Sequence, residues 1–189
     1  QASSSAASDV YKRQLQHQVD GELDRLYPDR TEKNQRVVVR KGRENYLCLL
    51  NLEDASRVLP TLPRHGVALG LMARWALATR DGDLVGGDFP AWLGDLMGRA
   101  GTLGLADRRG ECVYSACPHY GKCFIEKSVR KARRADLVIT NHALVMIQAA
   151  IGGDDGRQPT RLVFDEGHHI FDAADLSLIH ISEPTRQLQ

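Results

Sequence analysis

The chain has 189 residues, enough for one modest domain with a buried core and a small insertion. Hydrophobic residues make up 42% and charged residues 26%, and the formal net charge is +1, so this is not a polycation that binds nucleic acid through bulk charge. Any nucleic-acid contact has to come from local basic clusters. There is no apolar run of the length a membrane-spanning helix needs, and residues 1–14 lack the apolar stretch flanked by positive charge of a secretory signal. The expectation is a cytoplasmic protein whose four cysteines stay reduced, as ligands of a metal or cluster rather than as disulfides.

Both ends read as foreign. QASSSAASDVYKRQ (1–14) and LSLIHISEPTRQLQ (176–189) resemble translated sequencing-adaptor readthrough, and neither joins a periodic pattern beside it. They are set aside, and the native protein is expected to extend past both.

In chain order, Leu15, Val19, Leu23 and Leu26 fall on one face of a helix over 15–27. Val37–Val39 is a β-branched run that predicts a buried strand. Leu49–Leu59 predicts a short helix stopped by Pro60 and Pro63, and 66–80 an amphipathic helix. DGDLVGGDFP (81–90) is a Gly/Asp loop, and 91–103 a weaker helix because of Gly94 and Gly98. Trp75 and Trp92 are expected to pack these helices. After ECVYSACPHYGKCF (111–124) comes a basic helix over 125–135. LVIT (137–140) is a second strand, followed by Asn141, His142 and a helix to about Ile151. GGDDGRQPT (152–160) is a loop before a third strand, LVF (162–164), which ends in DEGHH. Strands separated by helical material predict α/β architecture with a parallel sheet, and the stretch between the first two strands is too long for a simple crossover, so it reads as an inserted subdomain.

Cys112, Cys117 and Cys123 are spaced C-x4-C-x5-C, with Cys48 distant. A [4Fe–4S] cube needs four thiolates, one per iron, which a three-plus-one arrangement supplies. Structural zinc more often takes ligands in tight C-x2-C pairs, absent here, although His119 offers a substitute ligand. Spacing alone leaves cluster, zinc and buried thiols open.

RLVFDEGHH is the sharper signal. A buried parallel strand delivers Asp165 to the carboxyl edge of the sheet, where α/β proteins bind ligands. Asp165 there suits Mg2+ held mostly through water, Glu166 suits orientation or deprotonation of an attacking water, and His168 is placed to sense the nucleotide state. The bland reading is a strand that ends in a solvated Asp-Glu pair.

KGRENYLC, then C-x4-C-x5-C, then ADLVITNHALV, then LVFDEGHHIFDAAD resemble, in that order, the iron–sulfur DNA helicases of the DinG/XPD-like type over about residues 36–175. The resemblance implies a partial RecA-like parallel sheet of a P-loop NTPase motor interrupted by a mainly helical iron–sulfur domain. It divides the chain into motor residues 15–44, an inserted domain at 45–130, and a return to the motor at 131–175. It implies ATP-driven 5′→3′ unwinding in the service of DNA repair, with ATP, Mg2+ and a [4Fe–4S] cluster as cofactors. Its partners would be single-stranded DNA and duplex junctions, and the protein a monomer. By position, Cys48, Cys112, Cys117 and Cys123 match the cluster ligands, and Asp165, Glu166 and His168 the Walker B motif. Gly167 stands where many relatives have alanine, and no G-x4-G-K-[ST] occurs anywhere, so this chain alone is expected not to hydrolyse ATP. Two alternatives of other classes are a zinc-stabilised nucleic-acid-binding module without ATPase activity and a redox domain of ferredoxin type.

Candidate DNA contacts are Arg40, Lys41 and Arg43 before Cys48, and Lys127, Arg130, Lys131 and Arg134 after Cys123. On a helix from Phe124, the second group lies opposite Ile125, Val129 and Ala132, and closing Cys48 onto Cys123 brings the two basic groups together. Tyr46, Tyr114 and Tyr120 are candidates for stacking on single-stranded bases, with ordinary packing as the plainer reading. Asn141 and His142 read first as turn and helix-cap residues.

Overall fold

The computed structural model describes residues 19, 21–61, 65–90, 92–95, 104–107, 112–151 and 161–175. Val37–Val39 forms β1 and Leu137–Ile139 forms β2, and the two pair in parallel with Val37 opposite Leu137, Val38 opposite Val138 and Val39 opposite Ile139. The ladder extends at both ends: Asp136 N–H donates to the Arg36 carbonyl at 2.9 Å and Arg40 N–H to the Ile139 carbonyl at 2.8 Å. Both strands stand where the sequence predicts them, and their parallel pairing puts everything from 40 to 136 between two adjacent strands. Among the described residues the architecture is mixed helix with a small two-stranded parallel sheet, compatible with α/β.

The helices are α1 (21–26), α2 (Arg30–Arg36), α3 (Leu49–Arg57), α4 (Gly66–Ala78), α5 (92–95), α6 (Phe124–Ala132), α7 (His142–Ile151) and α8 (170–175). Periodicity does not predict α2, because RTEKNQR has no apolar stripe. It forms on a capped start: the Asp29 carboxylate accepts from Thr31 N–H at 2.8 Å. Of the helix expected over 91–103, residues 91 and 96–103 lie outside the described residues.

One apolar cluster organises the insertion: Tyr46, Leu47, Met72, Trp75, Leu93, Leu105, Phe124 and Ile125. Burying side chains of this size stabilises by about 1.5–3 kcal/mol each. Trp75 packs edge-on against Phe89, with centroids 4.8 Å apart, and its indole N–H donates to Asp88 at 3.0 Å. Trp92, expected to pack likewise, is 57% exposed: it sits on the outer side of α5, whose inward residue is Leu93.

The Gly/Asp loop is ordered by its carboxylates. Asp83 accepts from the Val85 and Gly86 amides, and Asp88 from Thr79 and the Arg80 amide. Gly82 is held in the left-handed region (φ +66°) with the Phe124 ring directly over it, and its carbonyl accepts from Leu47 N–H at 2.9 Å. A Cβ at Gly82 would fall inside the Phe124 ring. Gly82→Ala should therefore destabilise the fold by about 2–4 kcal/mol, through strained φ and overpacking together. Urea denaturation reads this directly, and an unchanged midpoint would contradict the packing described.

The third expected strand is corrected. Residues 161–164 are extended but not strand, and Leu162 (53%) and Val163 (96%) are exposed rather than buried. A parallel strand needs a neighbour for its N–H and C=O groups, and among the described residues this segment makes no ladder with β1 or β2.

Candidate metal centre and acidic turn

Each cysteine sits where one short element hands over to another. Cys48 ends an extended segment, tied by its N–H to the Leu105 carbonyl at 2.8 Å, and starts α3. The Tyr114 amide donates to the Cys112 Sγ at 3.4 Å. Cys117 closes the 3-10 turn Tyr114–Ala116, and Cys123 closes the next, Tyr120–Lys122, and starts α6. Phe124 and Ile125, both buried, anchor Cys123 to the core. Tyr114 holds a left-handed backbone (φ 48°), strain that the two packed turns impose.

Together the turns bring all four sulfur-bearing residues to one cavity. Cys48, Cys112, Cys117 and Cys123 line it, with His119, Tyr114 and Tyr120. All four thiols are free and half-buried. Burial pushes the Cys48 thiol above its ordinary range, against the opposing amides of Asn51 and Leu50 at the start of α3. Among the described residues, no three His, Cys, Asp or Glu side chains converge as ligands of a single ion. His119 is engaged elsewhere: its Nε2 lies 2.7 Å from Glu53 on α3. That bond, with Arg57 beside it, holds the Glu53 carboxyl below the usual range.

The acidic turn lies at the other end of the chain. Asp165 and Glu166 are both exposed, and Glu166 holds a left-handed backbone (φ 51°, ψ 52°). His168 Nδ1 lies 3.3 Å from Glu166, so two of the three expected Walker B side chains meet. Just ahead of them, the Phe164 ring stacks on His142, with centroids 5.7 Å apart and planes 22° from parallel. Asn141 behaves as a cap, its side-chain oxygen accepting from Leu144 N–H at 2.9 Å.

No family model matches the chain. Curated relatives do. The chain is 32% identical over 148 residues to the ATP-dependent DNA helicase YoaA of Escherichia coli, an alignment covering 73% of this chain and 22% of that protein. It is 29% identical over 158 residues to the ATP-dependent DNA helicase DinG of Photobacterium profundum (78% and 22%). It is 32% identical over 186 residues to the ATP-dependent helicase DinG of Mycobacterium tuberculosis (89% and 27%). This chain belongs to the DinG-like helicase family. It spans about a quarter of the length of the curated relatives it matches.

The DinG-like segment carries its basic residues in two states. On α6 and just after it, Lys127, Arg130, Lys131 and Arg134 are exposed while Phe124 and Ile125 are buried, the division expected of an amphipathic helix. Lys127 reaches the Arg80 carbonyl at 2.9 Å, and the Arg130 guanidinium lies 5.9 Å from the Tyr120 ring centroid. Arg40, Lys41 and Arg43 are half-buried. Lys41 pairs with buried Asp83, and Arg43 with buried Asp107. Burial works against the Arg43 charge, and its bond to Asp107 outweighs this, leaving its pKa above the ordinary value. Burial holds the Arg40 pKa below the ordinary value. The two basic groups do approach one another: Lys41, Lys127, Lys131 and Arg80 line one open cleft of about 570 Å3.

The tyrosines divide. Tyr46 is corrected as a base-stacking candidate: it is 5% exposed, and its hydroxyl accepts from Lys41 N–H and lies 3.3 Å from the Ser128 hydroxyl. It ties the segment just after β1 to α6. Tyr114 is 59% exposed under the Arg43 guanidinium, whose Cζ lies 5.1 Å from the ring centroid. Sequence reasoning missed the Glu53–His119 and His142–Phe164 pairs, since no local signal announces a partner so far along the chain.

Proposed function

We propose that this chain is the part of an ATP-dependent DNA helicase that carries an iron–sulfur domain together with the Mg2+-binding and water-activating half of the ATP site. The observation that carries the reading is the cavity bordered by Cys48, Cys112, Cys117 and Cys123, inside an insertion between parallel strands of a DinG-like chain. The donor set fits a [4Fe–4S] cluster. A [4Fe–4S] cube takes one thiolate per iron, and four cysteines border this one cavity. Cys48 and Cys123 stand at the N-termini of α3 and α6, and at Cys48 the α3 amides offset part of the burial that disfavours its thiolate. Once bound, the cluster supplies cross-linking of α3, the two cysteine turns and α6 into one rigid body. Its role is structural, and a cytoplasmic setting keeps the thiols reduced.

In the motor, Asp165 would hold Mg2+, Glu166 would orient and deprotonate the attacking water, and His168, which lies beside Glu166, would report the nucleotide state. The phosphate-cradling loop is supplied by residues outside this sequence, in the longer protein to which the relatives' length points. Unwinding runs 5′→3′, on single-stranded DNA and duplex junctions, by a monomer. The described helices include none long and apolar enough to cross a membrane.

For DNA, the exposed face of α6 and the turn after it (Lys127, Arg130, Lys131, Arg134) with Arg40 supplies the phosphate contacts. Lys41 and Arg43 contribute less, because Asp83 and Asp107 already answer their charge. The double variant Lys127→Glu/Lys131→Glu should weaken single-stranded DNA binding at low salt. It should also flatten the salt dependence, by about 0.7 in log–log slope for each phosphate released from the protein. Arg25→Glu, on α1 and already paired with Glu22, should leave both unchanged. Equal effects from both would remove α6 from the DNA surface.

A further inference from the structure

We propose that His142 is a positioning residue for the acidic turn: its ring, stacked on Phe164, holds the backbone that presents Asp165 and Glu166 against the carboxyl end of β2. The inference rests on the ATPase reading just proposed and adds a residue to it.

The turn needs such a support. Among the described residues, 161–164 make no strand pairing, Leu162 and Val163 are exposed, and Asp165 and Glu166 are exposed in turn. Glu166 holds a left-handed backbone, a conformation that strains an L-residue and persists where neighbours over-determine it. The His142–Phe164 stack reaches over from the start of α7 and grips the residue directly before Asp165.

His142 is itself well placed to act as an anchor. β2 ends at Ile139, and the Asn141 side chain caps α7, which fixes the backbone of the helix's first residue, His142. The support therefore runs from β2 through the Asn141 cap to the His142 ring, then to Phe164 and the carboxylates. The Thr140 hydroxyl, in the same strand end, is buried and among the described residues has no hydrogen-bond partner. A buried orphan hydroxyl is costly, so the carboxyl end of β2 holds a polar group that packing alone does not explain. This is the edge of a parallel sheet at which α/β proteins engage ligands.

A support of this kind acts on alignment. Misplacing a catalytic group by about 1 Å can cost about 100-fold in rate while ground-state binding survives. The ring face does the holding, so another aromatic ring should replace it and a methyl should not.

The test uses the full-length helicase and DNA-stimulated ATP hydrolysis. His142→Ala should lower kcat about 10-fold or more with the KM for ATP within about twofold. His142→Phe should recover most of the rate and leave the pH profile of kcat unchanged. Phe164→Leu, which keeps an apolar side chain, should be as slow as His142→Ala. The double variant should be no slower than either single one, because both remove the same stack. The proposal is overturned if His142→Ala keeps native kcat, if His142→Phe is as slow as His142→Ala, or if the two single effects multiply. Glu166→Gln separates the two levels. If it abolishes hydrolysis while His142→Ala does not lower it, the positioning role alone fails. If Glu166→Gln still hydrolyses ATP, the ATPase reading fails and takes this inference with it.

Discussion

Glu166→Gln in the full-length helicase should lower DNA-stimulated ATP hydrolysis by about 10²–10⁴-fold, the span that a positioned general base contributes. Glutamine keeps the size and the hydrogen-bonding capacity of the side chain but cannot take a proton from water. Mg2+ and ATP binding should survive, because the metal is assigned to Asp165. DNA binding should survive too, since the basic face of α6 belongs to a different part of the chain. The variant should thus trap a nucleotide-bound, DNA-bound state that no longer unwinds. An exposed carboxylate at the end of an irregular segment would be dispensable if it were only a solvated surface charge. A Glu166→Gln enzyme that turned over at the native rate would show that it is.

Cys117→Ser should bleach the protein and lower its melting temperature by on the order of 10 °C, as removal of a metal staple worth several kcal/mol would in a chain of this size. The size of the effect follows from how the region is built. Cys117 joins two consecutive 3-10 turns, and few side chains around it are buried: residues 113–116 are all exposed. The apolar cluster touches these turns only at their end, where Cys123 packs against it beside Phe124 and Ile125. Little besides ligation therefore holds 112–123 against α3. His119–Glu53 is one link, and a pair this open to solvent adds little. An unchanged spectrum and melting temperature would remove Cys117 from the ligand set.

The parts of this molecule legible in the sequence are those set by local chemistry. Val37–Val39 and Leu137–Ile139 announce themselves as strands because β-branched and aliphatic runs fit little else, and α6 because its apolar and basic residues alternate with helical period. The cysteine spacing indicates a ligand set, although cluster and zinc stay open until the order of the neighbouring motifs is added. What is not legible depends on distant partners. Lys41 and Arg43 look like free phosphate contacts until Asp83 and Asp107 arrive from the far side of α4. Tyr46 has the composition of a stacking residue, and only the approach of α6 turns it into core. The segment 162–164 has the composition of a strand, but a strand is made by its neighbour as much as by its own residues. His142 reads as a cap position, and its ring acquires meaning only beside Phe164.

The central claim is that four cysteines, one following the first strand and three clustered before α6, cage an iron–sulfur cluster within a DinG-like helicase. Metal and acid-labile sulfide analysis of anaerobically purified protein, with its visible spectrum, tests it most directly. The expected result is a brown protein with about four irons and four sulfides per chain. A colourless protein holding one zinc would contradict it.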